Sequence, residues 1–242
     1  MRNKSASRWH HANGKGEAYS SNGTRQGQTL RVREPVGRSF GSVRGKFPSK
    51  KNGRMIHWES QLERDAVYIF EFSPGVIKYQ EQPFKTHYTF EGQTRRYTPD
   101  FTVTLSTGEC IVVEVKPAER LLDPSERRRF DRIANHIQQL GFPFQILTEQ
   151  EIRRPHLLEN LQWLHRYRGE RLTSFERRRF IDLLSAAQEI TFASVESELT
   201  DPAAIWNLIG EGILICNLRE PLTAGTILHL ALKEGQNADV YF

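Results

Sequence analysis

The sequence predicts an α/β domain, a mixed sheet flanked by helices, followed by a helical C-terminal segment that ends in a two-stranded wing. Three observations carry this prediction. Between residues 58 and 147 the pattern runs helix, several strands, helix, strand, the order of a sheet covered on its faces. Residues 101–105 and 110–116 are β-branched, apolar runs joined by the turn Ser106-Thr107-Gly108-Glu109, which makes them a hairpin. From about residue 150 helical periodicity takes over, and the chain closes with apolar runs at 212–218 and 226–232 around a Pro/Gly turn.

Taken in order, residues 1–30 are rich in Ser, Gly, Asn, Arg and His and read as disordered. Residues 31–55 read as an extended basic arm. Residues 58–72 read as a helix, with Leu62, Ala66, Ile69 and Phe70 on one stripe and Pro74-Gly75 as the stop. A strand, a turn at Gln82-Pro83 and a second strand fill 76–90. After the 97–116 hairpin, Pro117 ends the sheet. Phe130, Ile133, Ile137 and Leu140 mark a helix over 125–140, closed by Gly141, and residues 142–147 form a last strand. Helices follow at 156–168, 174–188, 193–199 and 202–209, with Asp201-Pro202 as N-cap and N1 of the last. Three helices and a wing predict a winged helix-turn-helix. The expected division is a basic arm over 1–54, a sheet domain over 55–149 and a winged-helix domain over 150–242.

Charge is unevenly distributed. Residues 1–50 hold eleven Lys/Arg and two acids, a net of +9, and the remaining residues carry 23 basic and 27 acidic groups, a net of −4. A basic arm suits phosphate contact, and Arg31, Arg33, Arg38, Arg44, Lys46, Lys50, Lys51 and Arg54 are its candidate DNA-binding residues. No apolar run reaches the length of a membrane span, and the N-terminus lacks the apolar core of a signal peptide. Cys110 and Cys216 lie in apolar runs without zinc-ligand spacing and read as reduced core residues, so a cytoplasmic protein is expected.

The chemistry concentrates at Asp100, Glu114 and Lys116. Asp100 stands at the mouth of the first hairpin strand. Glu114 and Lys116 are two apart on the second and share a face. Carboxylates gathered at one sheet end repel each other, and a divalent cation balances them. Glu114 also interrupts an apolar strand, where a lone carboxylate is costly to bury. On spacing alone the same residues read equally as a charged hairpin with a surface ion pair. Glu59 and Glu63 both flank the stripe of the first helix, and periodicity does not choose between them.

Five short blocks in order extend the pattern: Ser60-Gln61-Leu62-Glu63, Glu71-Phe72-Ser73-Pro74, Gln80-Glu81-Gln82-Pro83-Phe84, Tyr97-Thr98-Pro99-Asp100-Phe101 and Glu114-Val115-Lys116-Pro117. Together they resemble the TnsA family, the endonuclease subunits of Tn-seven-like heteromeric transposases. The resemblance covers residues 31–147 and implies a restriction-endonuclease-like fold. It also selects Glu63 over Glu59, implying Glu63, Asp100, Glu114 and Lys116 as catalytic residues. Mg²⁺, or Mn²⁺ in its place, is then held by Glu63, Asp100, Glu114 and the main-chain carbonyl of Val115. Gln82, Pro83 and Tyr97 belong to these blocks and are expected to be scaffold, with DNA positioning as the alternative. The implied activity is cleavage at the transposon's 5′ ends, on double-stranded DNA, beside a TnsB-like transposase and a TnsC-like ATPase regulator. The helix-turn-helix, residues 193–211, has no Lys or Arg but carries Glu196, Glu198, Asp201 and Glu211, so it is expected to dock protein and not DNA. The rival readings are a free-standing restriction-type or junction-resolving nuclease and a non-enzymatic DNA-binding adaptor of the same fold.

Overall fold

The computed structural model describes residues 24–25, 28–29, 43–169, 172–185, 190–231 and 239–242. The expected disorder over 1–30, apart from two short strands, and the candidate residues Arg31, Arg33 and Arg38 lie outside the described residues. Strands β1 (Thr24–Arg25) and β2 (Gln28–Thr29) are a two-residue antiparallel pair.

Residues 45–58 are not an extended arm. β3 (Gly45–Ser49) and β4 (Arg54–Trp58) pair as an antiparallel hairpin, so a domain boundary at residue 54 would cut through a folded unit. Phe47 and Ile56 are the reason. They alternate inward and join the main hydrophobic core at 3% and 0% exposure. Gly45 stands opposite Trp58, whose indole lies where a β-carbon would come within 2.2 Å of the ring.

Helix α1 spans Gln61–Phe72 and begins three residues later than the expected start at residue 58. Ser60 is its N-cap, accepting from the Glu63 amide at 3.1 Å, while Glu63 reaches back to the Glu59 amide at 2.8 Å. The Ser60 side-chain cap fixes the start, and Glu63 closes back onto the residue before it. Trp58 belongs to β4.

The central sheet has the order β10-β9-β8-β5, with β5 (Val76–Glu81) and β8 (Phe101–Leu105) antiparallel, β8 and β9 (Cys110–Val115) antiparallel, and β9 and β10 (Phe144–Leu147) parallel. The parallel pair is joined through a 3₁₀ turn, Ala118–Leu122, and α2 (Pro124–Gln139), as a parallel connection requires. Between β5 and β8, the hairpin of β6 (Thr86–Phe90) and β7 (Gln93–Tyr97) stands apart from this sheet. The two sheet faces pack differently. Val113 and Val115 join α1, whereas Val112 joins α2 and the β6–β7 hairpin through Phe130, Ile133, Ile137, Tyr88 and Tyr97. Alternation therefore directs Glu114 toward α2 and the hairpin.

The C-terminal elements are α3 (Glu149–Ile152), α4 (Leu157–Arg166), α5 (Ser174–Ser185), α6 (Phe192–Glu198), α7 (Ala204–Gly210), β11 (Leu214–Ile215) and β12 (His229–Leu230). The wing strands pair over two residues each, not over the seven the apolar runs suggested. Asp201 accepts from the Ala203 amide ahead of α7, whose N-cap is Ala203, so Asp201-Pro202 forms the turn before the helix instead of its first residues. The expected ends of α5 at 186–188 and of the second wing strand at 232 lie outside the described residues.

These elements share one core with the sheet domain. Leu157, Leu161, Leu164, Ile205 and Leu208 belong to the same buried cluster as Val67, Ile69 and Phe70. Polar ties cross the expected boundary as well. Asp65 meets Arg153 at 2.8 Å, Glu71 meets Arg168, and the Tyr241 amide donates to Ser73 Oγ at 3.0 Å.

Candidate active site

Asp100, Glu114 and Lys116 meet at one end of the β8–β9 pair. Lys116 Nζ lies 2.8 Å from Glu114 Oε1 and 3.7 Å from Asp100 Oδ2. Asp100 Oδ2 also accepts from the Val115 amide at 2.9 Å. Glu114 is only 3% exposed, and its Oε2 accepts from the buried Tyr97 hydroxyl at 2.6 Å. Both oxygens of a carboxylate set inside an apolar strand are therefore partnered, which is what makes its burial tolerable.

The electrostatics match the crowding. Burial, then the charges of Glu114 and Glu63, push the Asp100 carboxyl well above its ordinary pKa, against the pull of Lys116. Burial works to lower the Lys116 pKa, but Asp100 and Glu114 outweigh it and raise it. Burial and then Glu114 hold the Tyr97 phenol well above its ordinary value, so it stays a donor. Lys116 is the cation that this carboxylate pair has within the protein.

Glu63 stands at the edge of this group. Burial, with the nearby Glu59 charge adding to it, raises its pKa, and Lys116 works against that. Glu63 is not brought into contact with Asp100 or Glu114 as a third ligand. Its Oε1 accepts from Ser60 Oγ at 3.0 Å and its Oε2 from the Glu59 amide, because it is the N3 residue and folds back over the N-cap. Glu59 points elsewhere and accepts from Gln82 Nε2 at 3.1 Å. Gln82 takes a positive φ of 44° and its amide donates to the Asp100 carbonyl at 2.8 Å, a backbone brace beneath the site.

Among the described residues no group of three or more His, Cys, Asp or Glu side chains is arranged to hold a metal ion. The donor set present nevertheless fits one hard cation of the Mg²⁺ type, which binds through one or two carboxylates and fills its remaining positions with water and substrate phosphate. Asp100 and Glu114 supply the two carboxylates.

The expected basic arm is partly committed elsewhere. Lys51 Nζ donates to the carbonyls of Phe70, Ser73 and Val76, closing the C-terminal end of α1. Burial lowers its pKa to about 8. Arg54 forms a two-pronged pair with buried Glu81 at 2.8 and 2.6 Å. Neither is a solvent-facing phosphate ligand, because buried carbonyls and a buried carboxylate claim their charges. Lys46 and Lys50 are exposed. In the C-terminal segment, Glu211 pairs with Arg177, so it is not one of four uncompensated charges. Ile205, Leu208 and Ile209 are core residues, and Trp206 stacks on Trp163 and Tyr167 with centroids 5.9 and 6.3 Å apart.

A mixed sheet flanked by helices, with Asp, Glu and Lys converging at a strand end, fits the restriction-endonuclease-like fold. Residues 73–149 match the family described as TnsA-like endonuclease N terminal. Over 142 aligned residues the chain is 28% identical to the Tn7 transposition protein TnsA of Escherichia coli, covering 52% of this chain and 52% of that protein. The chain thus spans about half the length of the curated relative it matches. Residues 73–149 are thus similar to a TnsA-like endonuclease N-terminal domain. Among the described residues no helix is long and apolar enough to cross a membrane.

Proposed function

We propose that this chain is the DNA endonuclease subunit of a Tn-seven-like transposase and hydrolyses phosphodiester bonds at the 5′ ends of the transposon. The observation that carries the reading is the convergence of Asp100, Glu114 and Lys116 at the end of one hairpin, inside a TnsA-like domain. Asp100, Glu114 and the Val115 carbonyl would hold Mg²⁺, with Mn²⁺ as a substitute. When bound, the cation supplies Lewis acidity toward the phosphate and lowers the pKa of water. Lys116, held beside both carboxylates, would orient the attacking water or offset the negative charge that develops on the phosphate. Glu63, at the edge of this group, would be the further carboxylate available to complete or support a second cation site.

The DNA is held in part by the basic residues Arg31, Arg33, Arg38, Arg44, Lys46 and Lys50. The C-terminal helices and their short wing are read as a winged helix-turn-helix that docks a protein partner. A TnsC-like regulator fits this role and a TnsB-like transposase is the other partner, since acidic Glu196 and Glu198 are exposed there and repel DNA. The test is strand cleavage of transposon-end DNA with Mg²⁺ by the full chain and both partners. Asp100→Ala and Lys116→Ala should each abolish the 5′ cut and keep the fold by circular dichroism. Wild-type cleavage by Asp100→Ala sinks the proposal.

A further inference from the structure

We propose that Tyr97 is a positioning residue that commits one oxygen of Glu114 to the protein and leaves the other to the cation. The inference rests on the nuclease reading above. Tyr97 closes β7, and its ring is 5% exposed among Tyr88, Phe130 and Val112. Its hydroxyl donates to Glu114 Oε2 at 2.6 Å, while Oε1 faces Lys116 at 2.8 Å. The two oxygens thus have separate tasks: Oε2 is held from the hairpin side, and Oε1 alone is turned toward Asp100 and Lys116.

The backbone reinforces this division. Tyr97, Thr98, Pro99 and Asp100 cross from the β6–β7 hairpin to the sheet. Tyr97 grips the Glu114 carboxylate, and three residues on, Asp100 accepts from the amide of the next residue, Val115, at 2.9 Å. Proline between the two contacts restricts their relative movement. The Tyr97 ring is itself seated edge-on against Tyr88 at 6.3 Å, and Tyr88 accepts from Arg129 Nε at 3.4 Å. The chain Arg129, Tyr88, Tyr97, Glu114 therefore runs from α2 to the site.

A carboxylate limited to one oxygen suits Mg²⁺, which demands near-octahedral geometry at short distances. A carboxylate free to turn both oxygens inward suits larger, more permissive cations. Outer hydrogen-bond partners of this kind contribute about 10–100-fold to metal affinity or activity. Loss of the hydroxyl should weaken Mg²⁺ more than Mn²⁺.

The experiment uses the full chain as wild type, Tyr97→Phe, Asp100→Ala, Glu114→Gln and the Tyr97→Phe/Glu114→Gln double variant. Mn²⁺ binding is read from solvent-water relaxation, Mg²⁺ by competition, and cation-induced thermal stabilisation in parallel. Tyr97→Phe is expected to raise the Mg²⁺ Kd about tenfold, to raise the Mn²⁺ Kd less, and to lower kcat without changing KM for DNA. In the Glu114→Gln background the same change should add nothing, because Tyr97 acts through Glu114. If Asp100→Ala loses cation binding while Tyr97→Phe matches wild type within about twofold, the positioning role is overturned and the nuclease reading stands. Additive effects in the double variant also overturn the role. A wild type that binds neither cation, and whose cleavage survives Asp100→Ala, overturns both.

Discussion

Arg168→Met is the sharpest probe of how the C-terminal helices are attached to the sheet domain. Arg168 meets Glu71, whose side chain is 0% exposed, and also donates to the Pro48 carbonyl at 3.0 Å. Removing the guanidinium leaves Glu71 with Ser49 Oγ at 2.7 Å, the Lys50 amide at 2.8 Å and the Tyr79 hydroxyl at 2.8 Å. Loss of one charge-assisted hydrogen bond costs about 1.5–3 kcal/mol. Breaking a buried pair outright costs roughly 3–5 kcal/mol. Three surviving donors and the nearby Lys51 charge keep the carboxylate from being orphaned, so the expected loss is about 3 kcal/mol near neutral pH. Burial pushes the Glu71 pKa up, but the hydrogen bond from Ser49, the Arg168 charge and the Tyr79 hydroxyl outweigh it and hold it below the ordinary value. A depressed carboxyl stabilises the fold above its unfolded pKa, and that contribution disappears as pH falls through the folded value. The gap between wild type and Arg168→Met should therefore be constant near neutrality and narrow in acid. Urea denaturation followed by tryptophan fluorescence, near neutral pH and at about pH 4, measures both. A gap below about 1 kcal/mol, or one indifferent to pH, refutes the account, as does a first transition that releases the C-terminal helices alone.

Other outcomes follow from the same geometry. The Asp100 carboxyl sits above its unfolded pKa, so its ionised form costs stability once pH exceeds that unfolded value. Asp100→Asn, which still accepts from Val115, should melt higher than wild type at neutral pH and equally at about pH 3 in the absence of divalent cations. Glu63→Gln keeps an acceptor for Ser60 and the Glu59 amide, because glutamine also serves at N3, so its stability should change by under about 0.5 kcal/mol while cleavage is lost. Glu59→Gln should cleave nearly as wild type, and the opposite ranking in a cleavage assay would show that Glu59 is the helix acid of the site.

The hairpin of β8 and β9 and the helix between β9 and β10 were legible because alternation and the 3.6-residue stripe each left an unambiguous trace. The convergence of Asp100, Glu114 and Lys116 was legible for the same reason, since strand parity alone puts Glu114 and Lys116 on one face. α1 starts at Gln61 and not at residue 58 because Ser60 caps it, a signal that the sequence carries in Ser60-x-x-Glu63 just ahead of the stripe that begins at Leu62. That pattern also explains why Glu63 is occupied locally. Net charge could not separate Lys51, which closes a helix, from Lys46, which faces solvent, because the difference lies in carbonyls about twenty residues away. The change of periodicity near residue 150 marks a change of secondary structure, but the core runs through it via Leu161, Leu164 and Val67. Glu211 had its partner at Arg177, outside the window that made it look uncompensated. The grip of Tyr97 on Glu114 spans 17 residues across two hairpins and leaves no periodic trace.

The ties that fasten α1 to the C-terminal elements bear on the chain's history on the ribosome. Ser73 receives its bond from Tyr241, 168 residues later, and Gly75 donates to Asp239. At about 5–20 residues per second, roughly ten to thirty seconds separate the emergence of the two ends of that contact. Throughout that interval the C-terminal end of α1 lacks these two ties, although Phe101, Val113 and Val115, which share its core, are already made. The C-terminal elements therefore close onto α1 only after synthesis has passed residue 239, whereas the contacts among Asp100, Glu114 and Lys116 lie within one hairpin made long before.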